Sequence, residues 1–109
     1  THLVVFSPSR SAGSGDSAFK AMCECFNQIG EAAGEMGFRA GLHNHMGQMV
    51  QDAAEMDRCM EMTNPELFWF SPDTAHVHLA GADVVKTVEK IWTETVAKSD
   101  ARTPTEAWR

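Results

Sequence analysis

The feature that most narrows what this chain can fold into is an alternation. Short apolar runs are separated by longer stretches in which apolar residues recur every three or four positions. Leu3-Val4-Val5-Phe6 is an unbroken apolar run closed by Ser7-Pro8-Ser9, a pattern that suits a strand buried on both faces of a parallel sheet. After a small Gly/Ser-rich loop from Ser11 to Gly15, Phe19, Met22, Phe26, Ile29, Ala33 and Met36 form a helical stripe. Ser14 or Asp16 is expected to cap that helix, and Gly37 to end it. A second strand is predicted over Phe38 to His45, with Ala40 and Leu42 among its apolar positions, and Met46-Gly47-Gln48 turns out of it. A second helix is predicted from Val50 to Met62, stopped by Asn64-Pro65, because the residue before proline avoids the helical region. Leu67-Phe68-Trp69-Phe70 reads as a third buried strand. A loop from Asp73 through Gly81 then reaches Asp83, the expected cap of a third helix running from Val84 to Ala97 with Val84, Val85, Val88, Ile91, Trp92 and Val96 as its stripe.

Strand, helix, strand, helix, strand, helix is the order of parallel βαβ units with right-handed crossovers. The fold class is therefore α/β. Two closures are open, a small layered sheet or a βαβαβα segment of a (β/α)8 TIM barrel. A complete barrel needs about 250 residues, and the 109 residues here hold at most three of its eight units. Residues 1–97 are read as that partial barrel domain and 98–109 as a polar tail, with Trp108 its one docking side chain. A formal net charge of −6 argues against a nucleic-acid binder, since phosphate recognition needs a basic face. No apolar run approaches the ~20 residues of a membrane span, and Thr1 to Phe6 has no basic leader, so the expected location is cytoplasmic. Cys23, Cys25 and Cys59, odd in number and without a second pair, read as free thiols of a reducing compartment.

In parallel α/β proteins functional side chains gather at the C-terminal ends of strands, and here four of the five histidines fall at such ends and none is read as mid-helix. His43 and His45 close the second strand, where residues two apart face the same side. Both imidazoles then point together, as half of a divalent-metal site or a substrate clamp, or else as water-bonded strand-end histidines. Asp73, after the third strand, either ligates a cation or caps a turn; His76, three residues on, bends over the same opening or stays in solvent, and His78 also follows that strand. Arg10, after the first strand, could meet an anionic substrate group. Gly13-Ser14-Gly15 lacks the remainder of any phosphate-loop signature, and the seven methionines are best read as core.

Met36-Gly37-Phe38-Arg39-Ala40-Gly41-Leu42-His43-Asn44-His45-Met46-Gly47, with Asp73-Thr74-Ala75-His76 and Leu79-Ala80-Gly81-Ala82-Asp83 after it, resembles the xylose-isomerase-like TIM-barrel superfamily of sugar phosphate isomerases and epimerases. The resemblance extends from about Leu3 to Ile91 and is strongest to the inosose dehydratase and inosose isomerase branch. It implies an enzyme with a divalent metal (Mn, Co, Zn or Mg) at the barrel mouth that removes a proton next to a carbonyl of a small polyol or keto-sugar. Carried over, Asp73 and His43 are metal residues, His43 standing where the superfamily has a glutamate. His45 and His76 are the catalytic and substrate-contacting histidines, and Arg10 is a further substrate-binding candidate. The superfamily also draws a His and a Glu ligand from later strands, and no matching stretch follows Ile91. The expectation is a central piece of a barrel that forms a homo-oligomer or takes missing strands from another chain. The alternative is a non-catalytic α/β module that self-associates through exposed strand edges.

Overall fold

The structure is a computed structural model that describes residues 2–10 and 15–98. Its elements are β1 (His2–Phe6), α1 (Asp16–Glu35), β2 (Arg39–His43), α2 (Ala53–Met62), β3 (Phe68–Phe70), α3 (Thr74–Leu79) and α4 (Val84–Lys98). The strands form one sheet in the order β1-β2-β3, and both pairings are parallel. The expected α/β alternation is present, with one helix more than the sequence pattern suggested.

Register sorts the side chains onto two faces. Leu3, Ala40 and Phe68 lie in one row and Val5, Leu42 and Phe70 in the next; Val4, Gly41 and Trp69 line up on the opposite face, with Phe6 beside His43 one step further on. The first face is the core. Phe26 of α1 stacks on Phe68 with ring centroids 4.7 Å apart and planes 7° from parallel, and Met22, Met56, Cys59, Val77 and Ile91 close over the same side. Apolar burial of this kind stabilises by roughly 25 cal/mol per Å² removed from water. Backbones approach closely where α1 crosses the entry to β3, since a Cβ at Gly30 would lie 2.2 Å from the Leu67 carbonyl oxygen.

Several expectations change. The first strand is not buried on both faces: Leu3, Val4 and Phe6 are 45%, 47% and 52% exposed. β1 is an outer strand that the described residues cover only in part. Helix α1 has Gly15 as its N-cap, without a side-chain cap. Asp16 is the first helical residue and instead meets Arg58 at 2.8 Å, while Ser14 lies outside the described residues. Its C-terminus follows the sequence, with Gly37 at φ +82° and the Phe38 and Gly37 amides donating to Ala33 and Gly34 carbonyls, a Schellman arrangement. Met36, read as the end of the stripe, is exposed. Helix α2 starts at Ala53 because Asp52 and Glu55 form a capping box; Val50 is buried just before it. The second strand stops at His43, so His45 lies beyond it. The expected loop after Asp73 contains α3, which puts His76 and His78 on a helix. Asp83 caps α4 by accepting from the Lys86 amide. Ile91 of α4 is buried but Val85 is exposed. The tail, with Trp108, lies outside the described residues from 99 onward. All three cysteines are free, Cys23 and Cys59 buried and Cys25 exposed.

Candidate metal and substrate site

The C-terminal ends of β2 and β3 meet through a buried amide. Asn44, fully buried, accepts from the Asp73 N–H at 2.7 Å and donates to the Asp73 carbonyl at 3.2 Å. Its side chain thus satisfies both backbone groups of the residue that carries the carboxylate. The loop after β2 is pinned in turn to the loop after β1: the Ser7 hydroxyl accepts from Val50 N–H at 3.0 Å, and backbone bonds join Met49 to Pro8 and Arg10 to Gly47.

On this frame the two readings of Asp73 prove compatible. Its Oδ1 caps α3, accepting from Ala75 and His76 N–H at 2.9 and 3.2 Å. Its Oδ2 faces His43 Nε2 at 3.0 Å and His76 Nε2 at 3.9 Å. The His76 backbone N–H holds the carboxyl below the ordinary aspartate range, helped by the positive charge that His76 or His43 carries when protonated and by the Ala75 amide, against partial desolvation. Asp73 therefore keeps its negative charge to lower pH than an ordinary aspartate does. One donor atom from each of His43, Asp73 and His76 lies within 4.8 Å of the others, and among the described residues this is the one such group. Imidazole nitrogens with one carboxylate suit a borderline divalent cation, so the donor chemistry fits the expected metal, with further positions left for water, substrate or other ligands.

His45 approaches from the turn rather than from a strand, yet it converges as expected. Its ring centroid lies 3.9 Å from that of His76 and 6.4 Å from that of His43. Phe6, read only as a strand residue, borders both, 4.9 Å from His43 and 6.2 Å from His45. Arg10 is not brought into the group: its guanidinium donates to Gln51 and pairs with Glu55. His78 is exposed and is not part of the group. Sequence reasoning singled out the four clustered residues but not Asn44, whose partner is a backbone with no sequence signature.

Parallel βα units with a side-chain cluster at the strand ends match a segment of a TIM barrel, the class of fold that keeps its sites at the C-terminal face. The solved structure of the probable 3-DHS dehydratase AsbF of Bacillus anthracis, involved in petrobactin synthesis, superposes with a TM-score of 0.75, covering 83% of this chain and 33% of that one, at 14% identity. No family model matches the chain. It is 36% identical over 75 residues to the inosose dehydratase of Salmonella typhimurium, a match covering 69% of this chain and 25% of that protein. The inosose dehydratase of Halalkalibacterium halodurans is 37% identical over 75 residues, with the same coverage, and that of Clostridium tetani 35% over 72 residues. The chain belongs to the xylose-isomerase-like TIM-barrel superfamily, among the relatives of the inosose dehydratases. It spans about a quarter of the length of the curated relatives it matches. No described helix is long and apolar enough to cross a membrane.

Proposed function

We propose that this chain, with residues 1–97 as its partial barrel domain and 98–109 as a polar tail, is part of a divalent-metal-dependent dehydratase, isomerase or epimerase. Its substrate is a small polyol or keto-sugar such as an inosose, and its reaction begins by removing a proton next to a carbonyl. The observation that carries this reading is the approach of Asp73 Oδ2 to His43 Nε2 at 3.0 Å, at the strand ends where barrels of this class keep their chemistry, in a relative of dehydratases.

Asp73 and His43 hold the cation. Once bound, a divalent ion supplies Lewis acidity, which lowers the cost of negative charge developing on a substrate oxygen. His45 and His76 contact the substrate, and their rings are held too close together for either to turn freely. Phe6 shields one side of the cluster from water, and Arg10, braced by Glu55, offers a positive group at the rim. A cytoplasmic setting suits the free thiols. Because this chain supplies few ligands, the working enzyme takes its others from a second copy or from other barrel strands.

Elemental analysis of the purified chain tests the reading. About one Mn, Co, Zn or Mg per chain, lost in Asp73→Ala, is the expected result; protein that takes up none of these ions overturns it. The exposed Leu3, Val4 and Phe6 favour a second reading, an α/β module that self-associates through β1. Light scattering distinguishes the two: for the module, Val4→Lys converts an assembly to monomer while metal is absent throughout.

A further inference from the structure

His45 and His76 are anchored to one residue through opposite functions. His45 Nδ1 lies 2.7 Å from the Met46 carbonyl oxygen, and the Met46 N–H donates to His76 Nδ1 at 3.2 Å. A carbonyl oxygen only accepts and a backbone N–H only donates. His45 Nδ1 therefore carries a hydrogen, whereas His76 Nδ1 presents a lone pair. A neutral imidazole has one protonated nitrogen and one bare one, so the assignment passes to the other side of each ring. Nε2 is bare in His45 and protonated in His76.

We propose that the two peptide groups of Met46 hold His45 and His76 as opposite neutral tautomers, making His45 the proton acceptor and His76 the hydrogen-bond donor of the site. Met46 is thus a positioning residue that acts through its backbone, and its side chain has no part in the assignment. One consequence concerns the cation. Although His76 lies near Asp73, its Nε2 has no lone pair in this tautomer, which leaves His43 Nε2 and Asp73 Oδ2 as the ligands from this chain.

The other consequence rests on the function proposed above. When a C–H bond next to a carbonyl breaks, its proton goes to His45 Nε2. The C–H electron pair forms the new C=C bond, and the carbonyl π pair moves to oxygen. The His76 Nε2–H hydrogen-bonds that oxygen and keeps its own proton, so the step needs no co-reactant. A neutral imidazole polarising a carbonyl in this way is an effective electrophile.

The test is a long-range 1H–15N correlation spectrum of the full chain labelled with 15N-histidine, treated with chelator and held above the pH at which imidazoles are protonated. The expected pattern is Nδ1–H for His45 and Nε2–H for His76. His45→Asn and His76→Asn assign the signals, and in each the remaining ring keeps its tautomer, because its anchor is a backbone group. Met46→Leu leaves both patterns unchanged. The same tautomer on both rings, averaged nitrogen shifts on either, or a tautomer that switches when the other ring is removed overturns the proposal. If a variant does not fold, through-bond assignment of the unsubstituted chain decides alone. The spectrum is read without metal, so failure of the metal reading leaves it untouched, and the reverse holds for the metal analysis.

Discussion

Strand β1 contains Leu3-Val4-Val5-Phe6, and β3, with the residue before it, contains Leu67-Phe68-Trp69-Phe70. Both are dense apolar runs, both lie at an edge of the same parallel sheet, and both lead into loops at the site. Yet every residue of β3 is buried, while Leu3, Val4 and Phe6 are about half exposed. The difference comes from what lies over them. Phe68 has Phe26 stacked on it and, on the other face, Trp69 has the Arg39 guanidinium 4.0 Å above its ring. From β1 only Val5 packs against the core. An apolar run predicts a strand; its burial depends on partners that the run itself does not specify.

The sharpest way to break this contrast is to truncate one aromatic in each strand. Phe68→Ala is expected to cost about 3–5 kcal/mol, whereas Phe6→Ala stays within about 1 kcal/mol, both read from urea denaturation midpoints at constant slope. Equal losses would mean that β1 is covered in solution. Asn44→Ala, which strips the Asp73 backbone of both its partners, is expected to cost about 1–3 kcal/mol and to lower metal uptake as well. Gly30→Ala drives a methyl into the Leu67 carbonyl ahead of β3 and is expected to cost about 1–3 kcal/mol. Gly34→Ala, in the same helix with open space around it, gains up to about 1 kcal/mol from helix propensity; thermal melts of the pair separate packing from propensity. Asp52→Ala removes the capping box of α2 and costs about 1 kcal/mol.

The smallest effect is a pH dependence. Asp73 titrates lower in the folded chain than when unfolded, so its contribution to stability is present above the ordinary aspartate value and is lost as pH falls through the depressed one. In chelator-treated protein, Asp73→Asn should flatten the acid limb of the stability curve, lying below the unsubstituted chain near neutrality and converging with it in acid. An unchanged acid limb would mean that the carboxylate is not held by its amides in solution.

Much of this architecture was legible in the sequence. Element order followed from the switch between apolar runs and helical spacing, and the helix end at Gly37 and the start at Asp83 carried local signals. The start of α2 was also written in Asp52 and Glu55, but Val50 extended the apolar pattern and drew the predicted boundary outward. Helix α3 has only six residues, too few to show a stripe. At the site, the convergence of His43, His45, Asp73 and His76 could be read from their place at strand ends. That His45 arrives from a turn could not be, because Asn44 leaves the strand to bond a backbone 29 residues away. Sequence patterns record side chains that repeat or match in kind; contacts made with another segment's backbone leave no such mark.

The Asn44 clamp has a mechanical consequence. An open sheet of three strands can flex in ways that a closed barrel cannot, and sliding of β3 past β2 would ordinarily pull Asp73 away from His43. Because the amide between His43 and His45 grips Asp73 by its peptide groups, the carboxylate travels with the end of β2 rather than with the strand that delivers it. The cluster is in effect a small rigid plate riding on a compliant support, so it can keep its spacing while the sheet beneath it breathes.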